Sequence, residues 1–117
     1  MIDLEKMAKE HEKLFPNASL ESQIWKLEEE INEFCSAYLP EASIRELADI
    51  WIVLGGLYRW CPKTAVAMYY YYSDGDINAL YGINNIEAEV NRKWQINLKR
   101  KWVWNGKTYQ HEGNDEA

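Results

Sequence analysis

Lys26-Leu27-Glu28-Glu29-Glu30-Ile31-Asn32-Glu33-Phe34 is the stretch on which the fold turns, and Glu46-Leu47-Ala48-Asp49 answers it, with twelve residues between Glu33 and Glu46. Each half holds an acidic pair three residues apart, Glu30 with Glu33 and Glu46 with Asp49. On a helix such pairs are neighbours. The first half lies on a helical stripe, because Leu20, Ile24, Leu27, Ile31, Phe34 and Tyr38 alternate steps of four and three. The second half opens a segment that is apolar on nearly every side: Leu47, Ile50, Trp51, Ile52, Val53, Leu54 and Leu57. A helix of that kind is buried. Asp49 inside it needs a partner or a cation, since burying a lone carboxylate costs on the order of several kcal/mol. Two such helices face to face would set four carboxylates around one point, where repulsion calls for a cation. Hard oxygen donors suit Mg2+, Mn2+ or Ca2+.

Outward from this pair the chain reads as further helices. Ile2 to Phe15 forms a first one, with Leu4, Met7 and Leu14 as apolar points, and Pro16-Asn17 breaks it. Ser19 caps the next, with Ser22 rather than Glu three residues on, so a full capping box is not expected. Pro40 ends that helix. Ser43 caps a third, from Ile44 to about Trp60, with Glu46 in the capping-box position, which is a purely structural use for that residue. Gly55-Gly56 suits close packing or a slight bend, and Pro62 marks the exit. Thr64 to Tyr72 is helical and very aromatic; half of its Tyr69–Tyr72 run suits the core and half an interface. A last long helix runs from Ile86 to about Lys101. Trp102 to His111 alternates around Asn105-Gly106, a two-residue hairpin signal. The fold expected is all-α, four or five helices with a small C-terminal β-hairpin (102–111), in one domain over 1–111 with a disordered tail at 112–117.

Composition narrows the function classes. The net charge of −6 argues against nucleic-acid binding by the whole surface. Twelve of the nineteen acidic residues precede Trp60, while six of the thirteen basic ones fall between Arg92 and Lys107, so an acidic site and a basic helix can meet a metal and an anion together. Six Trp and eight Tyr exceed what so short a core needs, which points to a homodimer or homotetramer. Cys35 and Cys61 lack zinc-site spacing, Cys35 reads as a small core residue, and no signal or membrane segment stands out, so the expected setting is cytoplasmic. Asp74-Gly75-Asp76-Ile77-Asn78 begins like a calcium loop and then fails, with Ala79 where Gly is required and Asn85 where the bidentate Glu belongs. His11 and His111 are isolated and do not read as catalytic bases.

The combination of Glu29-Glu30-x-x-Glu33 with Glu46-x-x-Asp49 resembles the all-α nucleoside triphosphate pyrophosphohydrolases of the MazG type, which include the dimeric dUTPases. Lys26-Leu27 before the glutamates, Leu47-Ala48-Asp49-Ile50 after them, and Asn91-Arg92-Lys93-Trp94 near the end carry the resemblance further. It implies Mg2+, or Mn2+, held by Glu30, Glu33, Glu46 and Asp49, with Glu29 as a water-orienting base or outer ligand. It implies phosphate contacts from Lys93, Asn97 and Arg100; Asn97 stands where many members carry Arg, and Arg100 one turn on shares the helix face. The reaction implied is hydrolysis of a nucleoside triphosphate, a dNTP or an aberrant NTP, to monophosphate and pyrophosphate. Trp25 and Trp51 are the aromatic candidates for stacking on the base. The competing reading is a non-catalytic helical oligomerisation or nucleotide-binding module with a degenerate metal site. A basic last helix that binds nucleic acid is a further reading, disfavoured by the charge.

Overall fold

The helix that sequence marks as apolar all round lies at the centre. In the computed structural model, which describes residues 2–37, 40–73 and 83–112, five helices precede a two-stranded hairpin. They are α1 (Leu4–Leu14), α2 (Leu20–Cys35), α3 (Pro40–Leu57), α4 (Pro62–Ser73) and α5 (Ile83–Lys99), followed by β1 (Trp102–Trp104) and β2 (Tyr109–His111). Helix α3 packs against α1, α2, α4 and α5. Its Leu47, Ile50, Trp51 and Leu54 are completely buried. Each such side chain stabilises the fold by about 1.5–3 kcal/mol relative to exposure, so α3 is the element around which the others condense. Among the described residues no helix is long and apolar enough to cross a membrane.

Both proline assignments shift. Pro40 opens α3 instead of closing α2, which ends at Cys35. Proline suits the first helical position because its missing N–H would have no partner there anyway. Ser43 therefore lies inside α3 and Glu46 is in its second turn, so the capping use of Glu46 falls away. Pro62 likewise opens α4. Ser19 does close a capping box, contrary to expectation. Its Oγ accepts from the Ser22 N–H at 3.1 Å, and the Ser22 Oγ accepts from the Ser19 N–H at 2.8 Å. A second serine does the work of the usual Glu.

The stripe on α2 is only half buried. Leu27 is in the core and Ile31 and Phe34 pack against it, but Leu20 and Ile24 are exposed. Their place inside is taken by Ser22 and Gln23. The Gln23 amide donates to the Val53 carbonyl of α3 at 2.9 Å, which makes its burial affordable. Cys35 is exposed at the last turn of α2, not in the core. On α4, Tyr69 is buried with its ring 4.8 Å from that of Trp51, Tyr72 packs edge-on to Phe34, and Tyr70 and Tyr71 are exposed. The calcium-like segment 74–79, Asn85 as a side chain, Tyr38 and the tail 113–117 lie outside the described residues.

The hairpin pairs Trp104 with Tyr109 and Trp102 with His111. Its loop is thus four residues, 105–108, not two. Asn105 Oδ1 accepts from the N–H groups of Lys107 and Thr108 at 2.9 and 2.8 Å, and Gly106 takes φ 94°, which a residue with a Cβ rarely adopts. Glu112 still belongs to the hairpin, because its N–H donates to the Lys101 carbonyl. The hairpin docks through Phe15, which touches Trp102 and Tyr109, and through the Tyr109 hydroxyl, which accepts from the Asn17 N–H at 2.9 Å.

Candidate metal centre

Helices α2 and α3 pack face to face, and the spacing of three then brings Glu30, Glu33, Glu46 and Asp49 to one place. One carboxylate oxygen from each lies within 4.8 Å of all the others. Glu33 is exposed and the other three are half-buried. The cluster responds as confined negative charge must. Burial, then Asp49 and Glu33, push Glu30 up to about 8. Burial and Asp49 raise Glu46 as well. Burial also raises Asp49, opposed by Lys93. The nearness of Glu33 adds to the upward shift of both Glu30 and Glu46. A bound cation would relieve the same repulsion.

The donor set fits a hard divalent ion. Glu30 Oε2 and Glu46 Oε2 are buried with no hydrogen-bond partner among the described residues. Buried acceptors of that kind are costly and call for an explanation, and an oxygen-seeking ion such as Mg2+ or Mn2+ supplies one.

Glu30, Glu33 and Asp49 also line a cavity of about 350 Å3, which Glu46 does not. Along α2 the lining residues are Ser22, Gln23, Lys26, Glu29, Glu30 and Glu33, one continuous helix face. Asn97 of α5 and Arg100 just past its end line it too, as do Phe15, Trp94, and Trp102, Tyr109 and His111 of the hairpin. Glu29 is half-exposed, 3.7 Å from Lys26, and stands beside the four-carboxylate cluster rather than in it. Lys93 is buried, and its Nζ donates to Asp49 Oδ1 at 2.9 Å and to the Arg45 carbonyl at 3.1 Å. Arg100 donates to Asn97 Oδ1 at 3.3 Å. Other charges of the basic stretch are paired on the surface, Arg92 with Glu89 and Lys101 with Glu112.

Trp51 is fully buried in the core and cannot stack on a base; Trp25 carries the Lys107 ammonium 4.4 Å above its ring. The aromatic walls of the cavity come instead from Phe15, Trp94, Trp102 and Tyr109. Lys26 and Gln23 were open to discovery in the sequence, since they lie four and seven residues before Glu30 on the same face. Nothing local could reveal that the hairpin folds back onto α1.

His11 lines the cavity floor and is not a titrating base. Burial, then Arg59, hold it down from its ordinary 6.5 to about 3. Arg59 Nη1 lies 2.9 Å from His11 Nδ1. A guanidinium can only donate, so Nδ1 accepts and the proton sits on Nε2. The unfolded chain takes up a proton on this histidine first as the pH falls. Its contribution is therefore complete above about pH 6.5 and is lost progressively toward about pH 3. Over that window the effect is on the order of a few kcal/mol. Chemical denaturation between pH 7 and 4 should show His11→Asn with a shallower loss of stability than the parent; equal slopes would contradict this.

Comparison of the chain with protein-family models, with curated proteins and with solved structures finds no match.

Proposed function

We propose that this chain is a divalent-metal-dependent nucleoside triphosphate pyrophosphohydrolase, as its likeness to the MazG-type enzymes implies. The observation that carries the proposal is the convergence of Glu30, Glu33, Glu46 and Asp49, from two helices, within 4.8 Å of one another, three of them lining a cavity that also has cationic and aromatic walls. Those four residues would hold Mg2+ or Mn2+. Such an ion supplies charge neutralisation and Lewis acidity at a phosphoryl oxygen.

The chain's own residues divide the remaining tasks. The carboxylates fix where the phosphates lie, because a triphosphate approaches four negative charges only through a cation. Glu29 stands on the same helix face next to Glu30 and is placed to take a proton from an attacking water. Asn97 and Arg100 line the cavity at the C-terminal end of α5 and would offer donors to phosphate oxygens. The aromatic groups at the hairpin end suit a planar base better than a chain of charged groups would.

The test is pyrophosphate release over the common NTPs and dNTPs with Mg2+ or Mn2+. At least one nucleotide is expected to yield monophosphate and pyrophosphate in equal amounts, and chelation to stop it. No turnover of any nucleotide while the metal still binds would remove the enzyme proposal in favour of a binding module, and release of inorganic phosphate alone would replace pyrophosphohydrolysis with loss of the terminal phosphate.

A further inference from the structure

Three cationic side chains sit near the acidic cluster, and they are not equivalent. Lys93 lies on the buried stripe of α5 with Ile86, Val90 and Trp94. Its side chain is 6 % exposed. Two of its three donors are spent, on Asp49 Oδ1 and on the Arg45 carbonyl. It is not among the residues that line the cavity. To touch a phosphate arriving through the cavity it would have to abandon Asp49 and leave that carboxylate half-buried and unpaired, which is costly. Lys26 differs on every count. It lines the cavity on the same α2 face as Glu29, Glu30 and Glu33, one turn before them. Its side chain is 24 % exposed, and its ion pair with Glu29 is a loose one at 3.7 Å. A lysine held that weakly reorients at little cost.

We infer that Lys93 is a positioning residue that fixes Asp49 for the metal, and that Lys26, together with Arg100, takes the phosphates of the substrate. Asp49 Oδ1 is held by the buried ammonium, which also donates to the Arg45 carbonyl, and the second oxygen would be left for the metal. The single positive charge of Lys93 also offsets one of four carboxylates, so one divalent ion faces a smaller surplus of negative charge. Lys26 lines the cavity one turn of α2 before Glu30 and would offer its ammonium to phosphate oxygens there. The Lys26 half of the inference rests on the hydrolase proposal; the Lys93 half needs only that a metal binds.

The crossed test uses Mn2+ alone, followed by electron paramagnetic resonance, and then inorganic pyrophosphate at saturating Mn2+, followed by calorimetry. Lys93→Met is expected to weaken Mn2+ binding by about tenfold or more, as removal of a group that orients a ligand does, and to leave pyrophosphate affinity at saturating Mn2+ within about twofold. Lys26→Met is expected to do the reverse: Mn2+ affinity within about twofold, pyrophosphate affinity down by about tenfold or more. Lys93→Gln keeps a donor toward Asp49 and serves if the methionine variant fails to fold, its melting in chelator being the check. Lys93 variants that lose pyrophosphate affinity while binding Mn2+ normally would overturn the assignment. Normal pyrophosphate binding by Lys26→Met would overturn its half. A parent protein that binds Mn2+ but neither pyrophosphate nor any nucleotide sinks the hydrolase proposal and the Lys26 half with it, while Lys93 is still judged by Mn2+ affinity.

Discussion

Glu30→Gln is expected to make the metal-free protein more stable and the metal-dependent activity at least about 100-fold lower. Both effects have one origin. Glu30 is confined beside Asp49 and Glu33, and its carboxyl is pushed up to about 8. A group whose folded pKa is raised contributes fully below its unfolded value and loses that contribution as the pH climbs through the folded one. The metal-free parent should therefore weaken between about pH 4.5 and 8. Glutamine resembles the protonated acid at every pH, so the variant escapes the loss, and its advantage in chelator should be greatest near pH 8. A divalent ion reverses the order. It stabilises the parent increasingly as the pH rises, because the protons it displaces are then already leaving, and it does little for the variant. Melting curves in chelator and in Mg2+ at pH 5 and pH 8, with turnover at pH 8, read all of this. A variant less stable than the parent in chelator at pH 8 would mean that repulsion among the carboxylates does not weaken the metal-free protein. Undiminished turnover would mean that Glu30 holds no catalytic metal.

The same residues show what a sequence can and cannot disclose. The cluster was legible because it depends only on two local spacings and on two helices that must pack: α2 carries an apolar stripe and α3 is apolar all round, so neither has another way to bury its surface. The helix starts were less legible. Pro40 and Pro62 are compatible with ending one helix or opening the next, and only the surrounding packing decides. The α2 stripe misled at Leu20 and Ile24 for a related reason. Periodicity finds the more hydrophobic face, but here the inward side at that level is filled by Ser22 and Gln23, because α3 offers the Val53 carbonyl to the amide. Lys93 is the sharpest case. Its spacing puts it on the helix face toward Asp49, and that much is visible in the chain. Whether its ammonium faces a phosphate or lies buried behind the carboxylate depends on how far α5 sinks against α3, and no local pattern encodes that depth. The hairpin's role as a cavity wall depends on contacts from Phe15 and Asn17 across roughly the length of the chain, which periodicity does not carry.

Gly56→Ala should be among the most damaging small substitutions in the protein, and its damage should reach the cavity. Gly56 lies on α3 where α1 and α2 both press in. A Cβ there would come 2.6 Å from His11 Nε2 and would also strike the Gln23 amide nitrogen. Neither neighbour is a loose side chain that can swing aside. His11 is held by Arg59 at 2.9 Å, and Gln23 by the Val53 carbonyl at 2.9 Å. Arg59 in turn donates to the Phe15 carbonyl at 3.2 Å, under the ring on which Trp102 and Tyr109 rest. A methyl group at position 56 must therefore displace two buried, hydrogen-bonded groups at once. Overpacking costs about 1–3 kcal/mol, and a buried polar group stripped of its partner about as much again. A loss of roughly 2–4 kcal/mol, about 10 °C or more in melting temperature, is expected. Gly55→Ala is the control. Its Cβ would meet Met7, 2.9 Å from the Cβ and 3.1 Å from the Cε. The Met7 Cβ is fixed to the α1 backbone, so the helix itself must give, and about 1–3 kcal/mol is expected there, with no buried hydrogen bond lost. If position 56 is the costlier one, the floor of the cavity is rigid because its polar groups are locked to one another. Equal costs at 55 and 56 would show that the His11–Gln23 pair adds nothing to the cost of overpacking, and the cavity would then have no fixed floor against which a substrate could be oriented.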